Sequence, residues 1–222
     1  MAQPFSLKVY ISVLSIRLCQ ALNEKISHDF AGLMGVIDNS VRLIQSKDYQ
    51  EKAITLVQGS IGKLIGRLQF YRHLYSIPCD NSNIEIGEIN KLSINFLKLK
   101  NNNIKLIFQG FTTTTIKDSI SKMIMCLIFI ATDSLKKEGI IKVNLEVKNN
   151  NSLEIKVMVI DKQLKFYEDK IDILLGKGDA KNINVENIHE YYTYYLTTEF
   201  GYKLEIHTAM GSIEYVLKGK DN

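Results

Sequence analysis

Two long apolar repeats joined by a short polar segment constrain the fold of the first third of the chain. In each repeat, apolar residues recur every three or four positions, the period of one α-helical face. The first repeat comprises Ile11, Leu14, Leu18, Leu22, Ile26, Phe30, Leu33, Ile37, Val41 and Ile44, and the second comprises Ile54, Val57, Ile61, Leu64, Leu68, Tyr71 and Tyr75. The segment SKDYQ separates them, and Pro78 follows the second. The sequence therefore predicts an antiparallel hairpin of two long helices.

Such a hairpin cannot bury both apolar faces by itself. A second copy would complete a four-helix bundle, so we predict a homodimer. The alternative is that the rest of the same chain covers the two faces.

The polar stretch CDNSNIEIG, residues 79–87, predicts a boundary between a helical domain, residues 1–79, and a second domain, residues 80–222. Helix and strand patterns alternate beyond it. EINKLSINFLKLK and KDSISKMIMCLIFIATDSLKKEG predict helices, and NIKLIFQG predicts a strand. IIKVNLEVK and LEIKVMVID predict a hairpin that turns at residues 149–151. After a helix around residues 184–201, YKLEIHTAM and GSIEYVLKG predict a second hairpin that turns at Gly211. The fold class is α+β, with the second domain an α/β sandwich.

Composition narrows the function classes. A net charge of +4 is too small to indicate nucleic acid. Cys19, Cys79 and Cys126 match neither a metal-ligand pattern nor a disulfide framework, which favours a reducing, cytoplasmic setting without a bound metal. The run VYISVLSIRLC holds Arg17 and merges into the first repeat, so it predicts helix rather than a signal peptide. No apolar run is long enough to cross a bilayer, and we expect no membrane partner.

The stretch KISHDFAGLMG, residues 25–35, places a histidine among small residues inside the first helix. Ala31, Gly32 and Gly35 lie three, four and seven positions after His28 and share its face. The apolar stripe passes about 200° away around the helix. His28 is therefore predicted to face outward in a nearly bare patch, where a neutral imidazole can act as a nucleophile toward a large partner. The alternative of equal weight is that the glycines serve helix packing and His28 is incidental.

The sequence alone allows two interpretations of several polar residues near His28. Asp29 could orient the ring or aid proton movement, or it could be a solvated charge. Lys25 lies one turn before His28, and a hairpin folded about Asp48 brings Lys63 and Arg67 to its level. These three cations could attract an acidic partner or a phosphate, or could form a solvated helix face.

The sequences KISHDF, GVIDNSVRLI and KLIGRLQFYR together resemble the ChpT-type histidine phosphotransferases of bacterial cell-cycle phosphorelays. Gly35, Ile37 and Asn39 match the family run, whereas Ser27 and Leu33 stand where the family has cysteine and proline. The resemblance covers both helices, and the order of later elements also fits.

The resemblance implies a dimeric hairpin bundle followed by a degenerate histidine-kinase ATPase-like domain. It implies that His28, with Asp29 beside it, accepts a phosphoryl group from an aspartyl phosphate on the receiver domain of a hybrid histidine kinase. The group then passes to the receiver domain of a response regulator. The surface that docks the receiver would comprise Lys25, Ala31, Gly32, Gly35, Asn39, Lys63 and Arg67. The chain would hold no cofactor, and the receiver would bring Mg²⁺.

Nucleotide binding by the second domain is not expected. Kinases of this superfamily hold magnesium with an asparagine on the helix that corresponds to KMIMCLIFIATDSL, where Cys126 and Ile130 stand instead. Asp161 could match the acidic residue that recognises adenine in these kinases, but it lacks the glycines that should follow. Gly176 and Gly178 resemble a phosphate loop only weakly. Two alternatives remain from the sequence: a histidine kinase with residual ATP-dependent autophosphorylation, and a non-catalytic module that docks and inhibits a kinase or receiver.

Overall fold

A computed structural model describes residues 5–78, 82–98, 103–147 and 153–219, with side chains described from Ser15 onward. The predicted positions of the Ile11 and Leu14 side chains, Cys79 and the turn at 149–151 lie outside the described residues. The chain forms two compact units. The first runs to Leu68 and also contains Asp179–Ile188; the second contains Gln69–Gly178 and the chain from His189 onward.

The first unit is the predicted helical hairpin. Helix α1 spans Phe5–Leu43 and helix α2 spans Gln50–Leu74. Small side chains permit close approach of the two helices, because Ser40, Ala53 and Ser60 are all buried. On α2 the seam toward α1 comprises Ala53, Val57, Ser60, Leu64 and Arg67.

The predicted α2 stripe is divided in the structure. Val57 and Leu64 lie in the seam and are half-buried. Ile54, Ile61 and Leu68 lie one position round the helix and are 39%, 42% and 53% exposed. Each step of one residue rotates the face by about 100°, so the two sets point in different directions.

The segment Asp179–Ile188 is held together by side-chain hydrogen bonds. Asp179 accepts a bond from the amide of Lys181 at the start of a 3₁₀ turn over Ala180–Asn182. The Asn187 side chain both accepts from the Asn184 amide and donates to the Asn182 carbonyl. Arg17 of α1 donates to the Lys181 carbonyl at 2.9 Å, which ties the segment to the hairpin.

The second unit contains the predicted sheet and helices, together with short elements that the sequence did not predict. Its elements are β1 Asn83–Glu85, α3 Ile86–Lys98, β2 Asn103–Gln109, β3 Thr115–Lys117, α4 Asp118–Asp133, β4 Glu138–Val147, β5 Leu153–Ile160, α5 Glu168–Leu174, α6 Ile188–Glu199, β6 Tyr202–Ala209 and β7 Ser212–Gly219. The main sheet has the order β2-β4-β5-β7-β6, in which only β2 and β4 are parallel. Both predicted hairpins, β4–β5 and β6–β7, are present. The unpredicted elements are β1, β3 and α5.

The core of the second unit surrounds α4. Residues Asp118–Thr132 of this helix are all buried, which explains why its sequence shows an apolar run rather than a stripe. Sheet residues such as Val143 and Val157 alternate inward along their strands and are fully buried.

The last turn of α2 belongs to this core. Phe70 is fully buried and stacks on Phe96 with ring centres 4.1 Å apart. The fully buried Lys122 of α4 donates to the His73 carbonyl and to Ser76 Oγ, and so satisfies groups that the end of α2 leaves open. The predicted domain boundary between residues 79 and 80 is not tested by these contacts and stays a prediction. By its contacts, the last turn of α2 belongs to the second unit.

Candidate functional site

His28 lies on an open face of α1. Its side chain is 84% exposed. A methyl group added at Gly32 or Gly35 would meet no atom within 4 Å, and Ala31 and Asn39 are exposed on the same helix. The imidazole therefore projects from a helix face with few neighbouring side chains. A broad surface of another protein could approach it closely.

Asp29 lies beneath His28, on the side of α1 that faces α2. Its side chain is only 15% exposed. One carboxylate oxygen is 3.4 Å from Lys25 Nζ and 3.8 Å from His28 Nδ1, and the other is 3.8 Å from Arg67 Nη1. Arg67 also donates to the backbone carbonyl of Asp29 at 3.0 Å. Lys25 and Arg67 thus hold the carboxylate beside the ring.

The structure brings four of the predicted site residues together: Lys25, His28, Asp29 and Arg67. Lys63 is half-buried, and in the part of the chain that the structure describes no hydrogen bond or ion pair joins it to the other four. Arg67 was predicted either to attract an acidic partner or a phosphate or to form a solvated helix face, and in the structure it also connects α2 to α1. Its place in the α2 seam was a usable signal, because a charged residue at a seam position usually meets an opposite charge across the interface.

The space beside Ile130, which the family resemblance aligns with a magnesium-binding position of kinases, is filled with side chains. Ile130 of α4 lines a cavity of about 20 Å³ together with Tyr167, Lys170 and Leu174 from the α5 region. Sites for drug-sized ligands usually measure roughly 300–1000 Å³. A cavity of this size holds about one water molecule.

Charges inside this filled region are paired. Lys170 Nζ is 2.9 Å from Glu190 Oε1 and 3.5 Å from Asp133 Oδ2, and Glu190 is 1% exposed. Burial raises the pKa of Glu190, and Lys170 opposes that rise. Burial lowers the pKa of Lys170, but the two carboxylates outweigh it and leave that pKa above its ordinary value. The neighbouring Cys126 is also buried, which raises the pKa of its thiol to about 12 and keeps it protonated.

Gly176 and Gly178 pack against tyrosines of α6. Gly176 has φ +79°, and a side chain there would overlap the ring of Tyr194. A side chain at Gly178 would overlap Ile173 and the hydroxyl of Tyr191. These glycines permit a tight backbone turn over α6, and their motif carries no open phosphate loop.

No three His, Cys, Asp or Glu side chains form a metal-ligand set within the described ranges. In the same residues, no helix is both long enough and apolar enough to cross a membrane.

Comparison with known proteins gives consistent matches. Residues 86–211 match the model of a family described as "Histidine phosphotransferase C-terminal domain". The chain is 23% identical over 211 residues to the protein phosphotransferase ChpT of Brucella abortus (strain 2308), a match that covers 95% of this chain and 98% of that protein.

Solved structures of other proteins share this fold. A structure of a bacterial phosphotransferase superposes with a TM-score of 0.77 at 20% identity, covering 92% of this chain and 95% of the other. The Acinetobacter baumannii histidine kinase AdeS superposes with a TM-score of 0.52 at 11% identity, covering 88% and 98% of the two chains. The helical hairpin followed by a kinase-like sheet unit is therefore confirmed as the fold.

Proposed function

We propose, from the premise that this chain belongs to the histidine phosphotransferase family, that it is a phosphorelay protein phosphotransferase in which His28 carries the phosphoryl group. The observation that carries the assignment to His28 is its geometry. The imidazole is 84% exposed above a glycine-lined face, with the Asp29 carboxylate beside it. The donor in this proposal is the aspartyl phosphate of a hybrid kinase's receiver domain, and the acceptor is a response-regulator receiver domain.

Asp29 would select the reactive nitrogen of His28. Its carboxylate oxygen is 3.8 Å from Nδ1, and a small rotation of the exposed ring would close that gap to a hydrogen bond. A proton held on Nδ1 leaves the lone pair on Nε2. Nε2 would attack phosphorus as the bond to the aspartyl oxygen breaks, so that an N–P bond replaces an O–P bond and the receiver recovers its carboxylate.

Lys25 and Arg67 would keep this carboxylate in place. Both contact Asp29, so they would contribute to transfer through Asp29 as well as by attracting the acidic surface of a receiver. The open face at Ala31, Gly32, Gly35 and Asn39, with Lys63 on α2, would provide the docking surface. Since transfer depends mainly on positioning and charge neutralisation, the receiver would supply Mg²⁺ and this chain would need no cofactor.

The apolar side chains that the hairpin leaves exposed support a homodimer. Ile61, Ile65 and Leu68 on α2 are 42%, 49% and 53% exposed, and Val41 on α1 is 49% exposed. A second copy of the hairpin would cover them in a four-helix bundle. Light scattering at micromolar concentration should give twice the mass of the chain, and a monomer throughout would refute the dimer.

ATP-dependent kinase activity is not part of this proposal. The cavity beside Ile130 is too small for a nucleotide, and Lys170 with Glu190 occupies the region next to it. Self-labelling from ATP without a receiver would favour the kinase alternative instead.

Incubation with a ³²P-labelled receiver tests the proposed function directly. We expect acid-labile phosphate on the wild-type chain and none on His28→Ala. The matched control is His207→Ala, which removes another exposed histidine, 60% exposed and on β6. Label that persists in His28→Ala, or that disappears in His207→Ala, would exclude His28 as the carrier.

A further inference from the structure

A wide cleft opens at one end of the five-stranded sheet, within the second unit. It measures about 1230 Å³ and is lined by four chain segments. These are the start of β2, the loop between α4 and β4, the loop after β5 and the turn between β6 and β7. No residue of the proposed phosphotransfer site belongs to it.

Hydrogen bonds connect the segments into one platform. The Asn103 amide donates to the Lys137 carbonyl at 3.0 Å, and the Asp161 amide donates to the Gly211 carbonyl at 3.1 Å. Lys136 Nζ is 3.4 Å from the side-chain oxygen of Gln163. The cleft is therefore built from tethered backbone, and its shape does not depend on a loose loop.

The cleft concentrates positive charge that the described residues do not neutralise. Lys105, Lys136, Lys137 and Lys162 line it, against Glu138 and Asp161, which leaves four positive and two negative groups. Lys105, Lys137 and Lys162 are exposed and form no ion pair with any residue of the described ranges.

Several other lysines of the same unit are paired with acids. Lys156, Lys203 and Lys218 lie within 4 Å of carboxylates on the sheet. Lys170 and Lys177 are paired in and after α5. Several unpaired lysines on one tethered surface repel one another, and an anionic partner would remove that repulsion.

The rim of the cleft also presents an apolar side chain. Met210 lies in the β6–β7 turn and is fully exposed. A flexible thioether adapts to apolar partner surfaces. A small inorganic anion would contact only the lysines, and this cleft is too open to enclose it. A protein segment can use both features.

We propose that this cleft docks an acidic segment of a partner protein. Lys105, Lys137 and Lys162 would meet its carboxylates, and Met210 would contact an apolar side chain between them. This docking surface is separate from His28 and does not depend on phosphotransfer.

Fluorescence anisotropy of the full chain with a labelled peptide of alternating acidic residues and leucine, at physiological salt, tests the proposal. The variant Lys105→Glu, Lys137→Glu, Lys162→Glu should weaken binding by at least about tenfold, because three favourable charge pairs become repulsive. Met210→Ser should weaken it by about twofold to threefold. His28→Ala should leave it unchanged.

The control is Lys91→Glu, Lys98→Glu, Lys117→Glu, which makes the same charge change at exposed lysines outside the cleft. It should alter affinity by less than about twofold. Three results would each overturn the proposal: no peptide binding by the wild type, equal weakening by both triple variants, or tighter binding of a nucleic acid of equal charge at the same lysines. Circular dichroism of each variant separates lost docking from lost folding.

Discussion

The surroundings of His28 and those of Ile130 differ in one decisive respect, the space beside the side chain. At His28 the neighbouring glycines leave the surface open, and added methyl groups would contact nothing within 4 Å. At Ile130 the α5 region leaves only about 20 Å³. The first site has room for another protein surface to approach, whereas the second has room for about one water molecule. Under the proposed function, space as much as residue identity would separate a phosphoryl carrier from an ATP-dependent kinase on one fold.

The largest expected effect comes from enlarging the filled site. Leu174→Ala removes a 2% exposed side chain beside Ile130 and should destabilise the protein by about 2–5 kcal/mol, because it leaves a cavity. Urea unfolding measures the loss, with the 38% exposed Leu175→Ala as control. Calorimetry should still detect no ATP binding. Micromolar ATP affinity in Leu174→Ala would show that lack of space alone had excluded the nucleotide. The part assigned above to residue identity would then be wrong.

The ion pair in the filled site gives the second effect. Lys170→Met should cost about 2–3 kcal/mol at pH 7, somewhat less than a fully buried pair, because the side chain is 21% exposed. The loss should shrink toward pH 5. Glu190 has a folded-state pKa above its ordinary value of 4.5, so the folded state gains stability as this carboxyl is protonated and loses it as pH rises.

Urea unfolding of the wild type and of Lys170→Met at pH 7 and pH 5 tests whether the loss of stability shrinks on acidification. Lys177→Met, at a 66% exposed lysine paired with Asp172, is the control and should change stability by less than about 0.5 kcal/mol. A loss that grows on acidification would contradict the assignment to Glu190.

The third effect concerns the carboxylate at the open site. Asp29→Asn should slow phosphoryl transfer to His28 by about tenfold to a hundredfold, since the amide cannot hold the Nδ1 proton as a carboxylate does. Rapid-quench transfer assays measure it. Asp38→Asn changes an exposed aspartate on the same helix that pairs with Arg42, and it should transfer at the wild-type rate. Equal rates for all three proteins would limit Asp29 to a structural role.

The smallest effect tests whether the absence of a side chain at Gly32 assists phosphoryl transfer. Gly32→Ala should stabilise α1 by about 0.5–1 kcal/mol, because alanine is the better helix former and no atom opposes its methyl group. It should also slow transfer by about twofold to fivefold by holding the receiver away from His28. Gly59→Ala on α2 is equally unobstructed and should give the gain in stability without the loss of rate. Identical rates for the two variants would remove the functional reading of Gly32.

Sequence reasoning predicted the elements that have a strong period and missed those that lack one. The long helices and both hairpins repeat their apolar residues often enough to be recognised. Helix α5 spans only Glu168–Leu174, and β1 and β3 have three residues each, too few for a period to emerge. The filled cavity beside Ile130 escaped notice for that reason, since α5 borders it.

The candidate site was predicted in part. The outward direction of His28 follows from the helical period alone, because residues on one helix have a fixed angular relation. The contact between Arg67 and Asp29 depends on how α1 and α2 meet, and residues 38 positions apart have no such relation. The cleft at the sheet end was missed for the same reason, because its lysines come from three separate segments.

By itself, the sequence determined which faces of the helices are apolar, where the chain turns and which helical face carries His28, because these depend on local period and backbone preference. Only the tertiary structure decided which space is open and which is filled. The open face beside His28 depends on α2 packing against a different side of α1, and the filled region beside Ile130 depends on α5 packing across α4 and α6. Both result from contacts between distant segments, whose geometry no local pattern contains.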